Sequence, residues 1–416
     1  MNAAVSIEGQ FGRMTGVQFY VDSLLDAFAQ NSGGHHVSAF MPLVWSPGLW
    51  GDVVRDGQFA WLGQPGLPLA VGASPYLSLR PRVACRPVLK ALAQIWDAKV
   101  ARRVQSRTRW LSEQQARRAA RGFDLLHTPG LARLESADYA ARRNVATIYD
   151  LTTITHAWAH QPENIAMSER HYAYAKHKCD RILTISHATK ADIIEYLGIP
   201  ASRIDVTPLA PRLGTRRIAD PDVVRSLLAP LGLADTPLAL YAGTLEPRKN
   251  LHRLLSAWAQ IVKQEHLADH RLVLAGGAWR GHDQLLRDHA QAEGILDKVV
   301  FAGYVSNELM NALMSACRAF AYVSEYEGFG IPPLEAMACG APVVASNASS
   351  LPEVVGAAAL SVAPHDTDAI AAALHLLLTD DRENAARRVL SVARAAEFTW
   401  QRTAALTLAS YEAAVA

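Results

Sequence analysis

Two carboxylates, Glu327 and Glu335, stand eight positions apart near the C-terminal end of the chain. The two glycines between them let the backbone approach a ligand closely and adopt positive φ. Pro332 and Pro333 suit the first positions of a helix, where the missing N–H is no loss. The pattern predicts one acid on a loop, the other on the helix's first turn, and a helix N-terminus that attracts phosphate oxygens. Such an arrangement can hold a sugar nucleotide.

A second group of charged residues follows a short apolar strand at 238–242. After Gly243 the chain carries Arg248 and Lys249 side by side, and then Asn250 in the N-cap position of a helix with apolar residues at 251, 254, 255, 258 and 261. Adjacent cations on a surface loop are usually only solvated. At the carboxyl end of a parallel strand, where open α/β sheets bind their ligands, they are typical of a phosphate-binding turn.

These two elements resemble the E-x7-E signature and the Arg-Lys-Asn run of family 4 of the retaining glycosyltransferases. They occur in the family's order, with 79 positions between Arg248 and Glu327. The resemblance implies the GT-B fold, a nucleotide-sugar donor as co-substrate, and no cofactor. It also implies that Glu335 binds the ribose hydroxyls, that Glu327 lies near the hydroxyls of the donor sugar, and that Arg248 and Lys249 contact the diphosphate.

The resemblance further marks backbone that would line the donor site. Glycine-bearing loops after consecutive strands let a ligand come close to the main chain at the sheet's binding edge. The residues concerned are Gly328, Phe329, Gly330, Ile331, Gly243, Thr244, Gly277 and Tyr304.

Four residues of the N-terminal half are also site candidates. A loop with Gly12 and Gly16 lies between a strand and a helix, and in the family the equivalent loop is near the donor phosphates or the acceptor; a plain strand–helix turn is the alternative. Tyr149 stands where the family has a His before the aspartate. Its phenol titrates far above neutrality, so it cannot be the same acid–base group, but it can donate a hydrogen bond to the sugar. Asp150 is the candidate carboxylate for orienting the acceptor.

Strand and helix patterns alternate along the chain. Apolar strand runs fall at 3–7, 37–41, 125–127, 145–149, 182–185, 204–207, 238–242, 271–275, 299–302, 319–323, 342–345 and 359–362. This alternation predicts an α/β protein with two Rossmann-like, doubly wound parallel-sheet domains, which in the GT-B fold face a cleft. Prolines and a glycine at 208–221 indicate the linker. We predict an N-terminal acceptor-side domain at 1–210, a C-terminal nucleotide-sugar domain at 211–395, and a final helix at 396–416 that, by the resemblance, crosses back to the first domain.

Composition excludes several other classes of protein. No run of eighteen apolar residues and no basic segment before an apolar core is present, which predicts a cytoplasmic protein that does not span a membrane. The four cysteines lack C-x-x-C spacing, so neither a disulfide framework nor a zinc cluster is indicated. No D-x-D triplet lies at a strand end. We therefore expect a metal-independent site in which Arg248, Lys249 and the helix N-terminus stabilise the departing diphosphate.

A basic arm at 80–122 carries twelve Lys or Arg against only Asp97 and Glu113, whereas the whole chain has a net charge of +2. Its apolar residues recur at roughly helical spacing. Two interpretations stay open: a solvated amphipathic helix, or a helix on an anionic membrane surface. The second would place the protein at the inner face of the cell membrane, beside a lipid-diphosphate-linked glycan acceptor. Nucleic-acid binding is disfavoured, because no recognition motif accompanies the charge.

The sequence thus predicts a retaining hexosyltransferase that extends a cell-surface polysaccharide such as lipopolysaccharide O-antigen. The run at 345–354 resembles that of mannosyltransferases of bacterial polysaccharide assembly, which use GDP-mannose, although related glucosyl- and rhamnosyltransferases share much of it. A catalytically silent GT-B module that binds sugar nucleotide as a regulator or scaffold is the alternative. Tyr149 favours that alternative; the intact Arg248, Lys249, Glu327 and Glu335 favour the enzyme.

Overall fold

The computed structural model describes residues 1–6, 16–41, 69–71, 121–130 and 141–416. The predictions for Gly12 and for the basic arm up to residue 120 lie outside these ranges. The chain forms two compact units: one contains Met1–Thr147, Met167–Leu183 and Ala404–Ala416, and the other contains Ile148–Ala166 and Thr184–Thr403. This division differs from the predicted boundary at residue 210, because residues 148–166 and 184–210 pack with the second unit.

The first sheet is built from strands whose order in space differs from their order in the chain. Its members are β1 (Asn2–Ser6), β2 (His36–Met41), β3 (Leu69–Val71), β4 (Leu125–Thr128), β5 (Arg143–Ile148), β6 (Arg181–Thr184) and β7 (Ile204–Val206). They are arranged β3-β2-β1-β4-β5-β6-β7. Ala3 on β1 lies opposite Val37 on β2 and Leu125 on β4, with both neighbours parallel. Six of these strands match predicted runs; β3 was missed because its three residues are too few to show a pattern.

The second unit contains a six-stranded sheet. Its members are β8 (Leu238–Ala242), β9 (Arg271–Ala275), β10 (Val299–Gly303), β11 (Ala319–Tyr322), β12 (Val343–Ser346) and β13 (Leu360–Val362). They are arranged β10-β9-β8-β11-β12-β13, and all their pairings are parallel. β8 and β11 are buried along their whole length, as the continuous apolar character of both segments predicts. The strand order reverses between these two strands, which is where doubly wound sheets bind their ligands.

Helices alternate with the strands as the sequence predicts. The described helices are α1 (Gly16–Gln30), α2 (Thr152–Thr155), α3 (Pro162–Lys178), α4 (His187–Leu197), α5 (Pro221–Leu228), α6 (Leu251–Val262), α7 (His282–Ala292), α8 (Asn307–Ala316), α9 (Ile331–Ala338), α10 (Leu351–Val355), α11 (Thr367–Thr379), α12 (Asp381–Ala395) and α13 (Trp400–Val415). The side chain of Ser186 caps α4 by accepting from the Thr189 N–H, and Gly198 ends the helix at φ 63°. None of the helices in the described ranges is long and apolar enough to cross a membrane.

The last helix returns to the first unit, as the fold prediction requires. Its residues Ala404–Ala416 belong to that unit. Tyr411 is fully buried, with its hydroxyl 2.6 Å from Nδ1 of His127 and its ring 6.2 Å from that of Phe28 on α1. The first unit therefore takes part of its core from the far end of the chain.

Candidate functional site

The two charged motifs follow neighbouring strands. The turn with Arg248 and Lys249 comes after β8, and the loop with Glu327 comes after β11, which pairs directly with β8. Because the pair is parallel, both segments lie at the carboxyl edge of the sheet, at the point where the strand order reverses. The structure thus brings together residues that the sequence separates by nearly eighty positions.

Asn250 fixes the β8 turn against the end of β11. It has φ 59°, a left-handed conformation that asparagine tolerates better than most residues. Its side-chain amide donates to the carbonyls of Val323, at 3.0 Å, and Pro364, at 2.6 Å. The sequence placed Asn250 at the N-cap, and the position is correct, but its side chain makes no capping hydrogen bond. It joins two loops instead.

Two glycines let neighbouring loops touch at the same edge. Gly243 follows β8 with φ 147°, and Gly276 follows β9 with φ 153°. A Cβ on Gly276 would lie 1.9 Å from the carbonyl oxygen of Gly243, a distance that no side chain permits. The sequence named Gly277 at this place, but a Cβ on Gly277 would meet nothing within 4 Å. Gly276 is therefore the residue that the packing requires.

Four side chains form a charged cluster, which we define as Glu246, Arg248, Lys249 and Glu327. The Lys249 ammonium is 2.6 Å from Oε1 of Glu327 and donates to the Tyr322 hydroxyl at 3.2 Å. Arg248 reaches Oε2 of Glu327 at 3.2 Å and Oε1 of Glu246 at 2.7 Å. All four side chains are at most 16% exposed. The cluster holds two cations and two anions in a largely dry environment.

Burial and charge act in opposite directions on this cluster. Burial alone would raise the pKa of Glu327, but Lys249 and Arg248 outweigh it and lower that pKa from its ordinary value of 4.5 to about 2. Burial lowers the pKa of Lys249, while Glu327 and Glu246 oppose the shift. Burial also disfavours charge on Arg248, yet its two carboxylate partners raise its pKa overall. Glu327 is thus held as a carboxylate, an acceptor of hydrogen bonds.

Serines from the segment after β12 hold the Glu327 loop in shape. The hydroxyl of Ser350 donates to the carbonyls of Glu327 and Phe329, at 2.9 and 2.7 Å. Ser349 accepts from the Glu327 N–H at 2.8 Å, and Ser346 donates to the Ser324 carbonyl at 2.6 Å. By resemblance, this serine-rich run indicates only the type of donor. Its visible role is to satisfy the loop's backbone and so fix the carboxylate.

Tyr149 and Asp150 meet the same loop through Gly328. A Cβ on Gly328 would lie 2.5 Å from the Tyr149 carbonyl oxygen and 2.9 Å from Cβ of Asp150. The Thr189 hydroxyl lies 3.3 Å from the carbonyl oxygens of both Tyr149 and Gly328. Oδ1 of Asp150 accepts from the backbone N–H and the hydroxyl of Thr152, at 2.9 and 2.6 Å. Tyr149, predicted to bind the sugar, and Asp150, predicted to orient the acceptor, therefore both lie beside the loop that carries Glu327.

The charges of Arg248 and Asp150 also act on two histidines in the segment that follows Asp150. Burial lowers the pKa of both His156 and His160, and the positive charge of Arg248 lowers it further, against the raising effect of Asp150. Nε2 of His160 is buried and has no hydrogen-bond partner among the described residues. Both imidazoles are therefore neutral near pH 7.

Glu335 is held differently from Glu327. It is the fifth residue of α9, so the prediction of a first-turn position was wrong: the helix begins at Ile331, and Glu335 falls in the second turn. It is 1% exposed. Arg212, from the linker, makes a bidentate ion pair with it, with Nε donating to Oε1 at 2.5 Å and Nη2 donating to Oε2 at 2.7 Å. A small cavity lined by Asn307, Met310 and Asn311, among others, adjoins this pair.

The remaining predicted residues differ in their surroundings, and some are buried while others are exposed. The carbonyl of Thr244 accepts from the buried Tyr241 hydroxyl at 2.9 Å, and Gly330 is the N-cap of α9 with φ 115°. Phe329 is buried with its ring 5.9 Å from Phe398, whereas the side chain of Tyr304 is 88% exposed. Gly16 opens α1, where a Cβ would meet nothing within 4 Å.

Several residues of the site were not predicted from the sequence. They are Glu246, Ser350 and Arg212, and each contacts a residue that was predicted. Glu246 had a signal, since it lies in the same turn as Arg248 and Lys249. Arg212 had none, because nothing in an irregular linker points to a partner more than a hundred residues away. Within the described ranges, no three His, Cys, Asp or Glu side chains are placed to hold a metal ion.

Comparison with known sequences gives two matching families and a set of related enzymes. The profile described as Glycosyl transferases group 1 matches residues 228–393, and that described as Glycosyltransferase Family 4 matches residues 14–210. The O-antigen chain mannosyltransferase B of Escherichia coli is 36% identical over 277 residues, which cover 65% of this chain and 70% of that protein. The MMP alpha-(1->4)-mannosyltransferase of Mycolicibacterium hassiacum is 33% identical over 56% of this chain and 54% of its own length. The chain covers only 29% of the serotype-specific mannosyltransferase WbdA of Escherichia coli, at 30% identity.

Solved structures match over nearly the whole chain. Anabaena Alr3699/HepE, in complex with UDP and glucose, superposes with a TM-score of 0.69 at 19% identity, covering 99% of this chain and 100% of that one. WaaG, a glycosyltransferase involved in lipopolysaccharide biosynthesis, gives a TM-score of 0.60 at 15% identity, covering 98% of each chain. At these identities the likeness extends to the fold alone.

Proposed function

This chain belongs to family 4 of the glycosyltransferases, with the GT-B fold, and we propose that it moves mannose from GDP-mannose onto a growing, lipid-linked cell-surface glycan. The observation that carries the proposal is the charged cluster at the reversal point of the second sheet. There, Lys249 and Arg248 lie against the carboxylate of Glu327, and Glu335 is buried on the helix that follows.

Mannose as the transferred sugar is supported by the names of the matched relatives. Three of those reported above are mannosyltransferases, and two of them come from O-antigen or serotype-specific systems. The serine-rich run at 345–354, which resembles that of mannosyltransferases, agrees with this choice. A glucosyl- or rhamnosyltransferase of the same family is the alternative donor assignment.

In the proposed reaction, the bond between the anomeric carbon and the diphosphate oxygen breaks while the acceptor hydroxyl oxygen bonds to that carbon. The hydroxyl proton passes to the departing phosphate oxygen. Negative charge therefore grows on the diphosphate, and prealigned cations stabilise it more in the transition state than in the ground state. Lys249 has three N–H donors, and Glu327 and Tyr322 take two of them. The carboxylate of Glu246 also lies 3.7 Å from the ammonium, so a phosphate oxygen that takes the third donor must come close to this side chain.

Glu327 has the charge state that its proposed role requires. A carboxylate with a pKa of about 2 stays ionised at any physiological pH and accepts hydrogen bonds from the hydroxyls of the donor sugar. Glu335 accepts from the ribose hydroxyls beside its Arg212 contacts. Asp150 orients the acceptor, and Tyr149 donates a hydrogen bond to the sugar. We further propose that transfer retains the configuration of the anomeric carbon and needs no metal, because fixed cations and backbone amides take the metal's place.

The acceptor proposal includes a membrane surface. A lipid-diphosphate-linked glycan is confined to a membrane, and the excess of ten positive charges in the basic arm would attract an anionic one. Replacing Arg102, Arg103, Arg107 and Arg109 by Gln should weaken sedimentation with anionic vesicles. Added salt should weaken binding of the unchanged protein in the same way, because it screens the charges. Equal, salt-independent binding of both proteins would contradict this part of the proposal.

The donor assignment is tested by stability and by product. Only a ligand that binds the folded state raises the melting temperature, so GDP-mannose should raise it while UDP-glucose and dTDP-rhamnose should not. With labelled GDP-mannose and a lipid-linked acceptor, the product should be an α-mannoside by NMR of its anomeric proton. A β-linked product would overturn retention, and a response to another nucleotide sugar would reassign the donor.

One observation favours the silent module as a second candidate. Both cations of the cluster have carboxylate partners within the chain itself. A protein of that kind would bind GDP-mannose and show the same rise in melting temperature, yet release no GDP in the presence of acceptor. Turnover measured beside binding separates the two functions.

A further inference from the structure

Three aromatic rings form a row that starts beside Glu327 and ends in solvent. We call the row, Tyr326, His156 and Trp158, the aromatic ledge. The ring centroids of Tyr326 and His156 are 5.2 Å apart, and those of His156 and Trp158 are 6.1 Å apart. Tyr326 is 9% exposed, whereas Trp158 is 59% exposed. Exposure thus rises along the row as it leaves the carboxylate.

The inner end of the ledge is firmly held. The Tyr326 hydroxyl donates to Oδ2 of Asp192 at 2.5 Å, and its carbonyl accepts from Arg248 at 2.7 Å. His156 is fixed by a contact of 2.9 Å between its Nδ1 and the Thr155 hydroxyl. The first two rings therefore have set positions next to the charged cluster, and the third, tilted by 54° to His156, is the exposed end of the group.

An exposed tryptophan alone would need no explanation, because single apolar residues are common on protein surfaces. Trp158 is distinguished by its continuity with two anchored rings. Aromatic faces with a few polar groups at their edges are also what small-molecule sites typically present. Asp150, Glu325 and His160 all interact electrostatically with His156 and supply such polar groups.

The charge of the ledge selects its ligand. Burial and the positive charge of Arg248 lower the pKa of His156, so its imidazole is neutral at pH 7 and carries no charge that would hold an anion. The nucleotide diphosphate therefore belongs at Arg248 and Lys249. A pyranose is uncharged, and it has an apolar face of C–H groups that stacks on an aromatic ring while its hydroxyls reach polar neighbours.

From this geometry we propose that the aromatic ledge is the acceptor subsite, where the terminal sugar of the glycan stacks on Trp158. The proposal rests on the function proposed above, since the ledge leads to the carboxylate assigned to the donor sugar. It goes further by naming the surface that recognises the acceptor and the chemistry of recognition. It also predicts a residue, Trp158, whose loss affects the acceptor and not the donor.

The variants for the test are Trp158→Ala and Trp158→Phe, with Leu285→Ala as the matched control. Leu285 is 57% exposed on α7, so it loses a large apolar side chain of nearly equal exposure. Five quantities are measured: the acceptor KM with a water-soluble α-mannoside, the donor KM, the rate of GDP-mannose hydrolysis without acceptor, the melting temperature, and the Kd for mannotriose by NMR titration without donor. The last does not depend on the donor being correct.

We expect Trp158→Ala to raise the acceptor KM and the mannotriose Kd roughly five- to tenfold, as loss of one aromatic contact would. Trp158→Phe should fall in between, and the donor KM, the hydrolysis rate and the melting temperature should not change. Leu285→Ala should match the unchanged protein throughout. If the unchanged protein binds mannotriose but ignores GDP-mannose, the donor assignment fails and the ledge stands.

Three outcomes would overturn the proposal. The first is a mannotriose Kd that Trp158→Ala leaves unchanged, and the second is no mannotriose binding by the unchanged protein. The third is a Trp158→Ala protein that loses transfer to a lipid-linked acceptor in vesicles but keeps normal transfer to the soluble mannoside, which would make Trp158 a membrane contact.

Discussion

The two glutamates of one motif are buried to nearly the same degree but are neutralised in different ways. Glu327 is held by two cations from a single turn. Its loop packs through Gly328 against Tyr149 and is hydrogen-bonded by the serines after β12. Glu335 is held by one arginine from the linker, whose side chain is 47% exposed. The first arrangement is dense and dry, and the second is open on one side. The difference teaches that equal burial of two carboxylates does not imply equal cost of disturbing them.

The largest effect should follow from a substitution in the charged cluster around Glu327. Lys249→Met leaves Glu327 buried with fewer partners, so we expect a loss of about 3–5 kcal/mol of unfolding free energy in urea. Turnover should fall on the order of 10²-fold or more, since a donor to growing charge is lost. Lys298→Met removes a lysine that pairs with the exposed Asp297 and donates to the Ala268 carbonyl at 2.9 Å; it is the control and should lose only about 1 kcal/mol with no change in turnover.

The double variant Lys249→Met with Glu327→Gln separates stability from catalysis. Removing both charges should restore much of the stability, because no buried charge is left unpaired, but it should not restore turnover. Normal turnover in a folded Lys249→Met protein would remove the lysine from the reaction.

Packing around Glu327 should give the next effect. Gly328→Ala places a methyl group 2.5 Å from the Tyr149 carbonyl, and such overpacking typically costs about 1–3 kcal/mol. Gly277→Ala adds the same methyl group in open space and should stay within about 0.5 kcal/mol of the unchanged protein. The melting temperatures of the two variants measure the contrast. Equal shifts would mean that the two loops do not meet as closely as described.

Acid should lower the free energy of unfolding by protonating Glu327. Its folded pKa of about 2 lies below its ordinary value of 4.5, so its stabilising effect is complete above pH 4.5 and is lost as the pH falls towards 2. By linkage, the unchanged protein should lose about 2 kcal/mol more than Glu327→Gln between pH 6 and pH 3. Urea unfolding at both pH values measures this. Parallel losses in the two proteins would show that Glu327 is not strongly coupled to its cations.

Substitutions of Arg212, the partner of Glu335, should have a smaller effect on stability. Arg212→Ala removes a bidentate partner from Glu335, but solvent reaches the arginine, so we expect a loss of roughly 1–2 kcal/mol. Arg212→Lys keeps the charge without the planar fork and should fall in between. The donor KM should rise in Arg212→Ala while kcat changes little. A loss of unfolding free energy as large as that of Lys249→Met would show that Glu335 and Glu327 depend equally on their cationic partners.

The smallest effect should be none. If Arg248 and Lys249 replace a metal at the diphosphate, turnover should be the same in EDTA as in Mg²⁺ or Mn²⁺. Activity that disappears with chelator and returns with a divalent ion would show that the charged cluster is not sufficient to stabilise the leaving group.

Predictions from sequence succeeded where the physical signal is local. Continuous apolar runs located every strand of the second sheet. The signal has its clearest cause in the four inner strands β9, β8, β11 and β12, because a strand buried on both faces needs apolar residues at each position. A glycine at 198 ended α4 because only a residue tolerant of positive φ suits that place. Lys249 and Glu327, which a family's signature assigns to the diphosphate and to the donor sugar, lie 2.6 Å apart in the structure, and their roles stay predictions.

Tertiary structure alone decided the contacts between distant segments. That Gly276 and not Gly277 must lack a side chain depends on how closely the β8 and β9 loops approach. That Arg212 neutralises Glu335, and that Trp158 continues a row of rings from Tyr326, depends on the path of irregular segments that have no periodicity to read. Local backbone preferences and burial are encoded within a few residues. The pairing of side chains across a sheet edge is set by the packing of the whole unit.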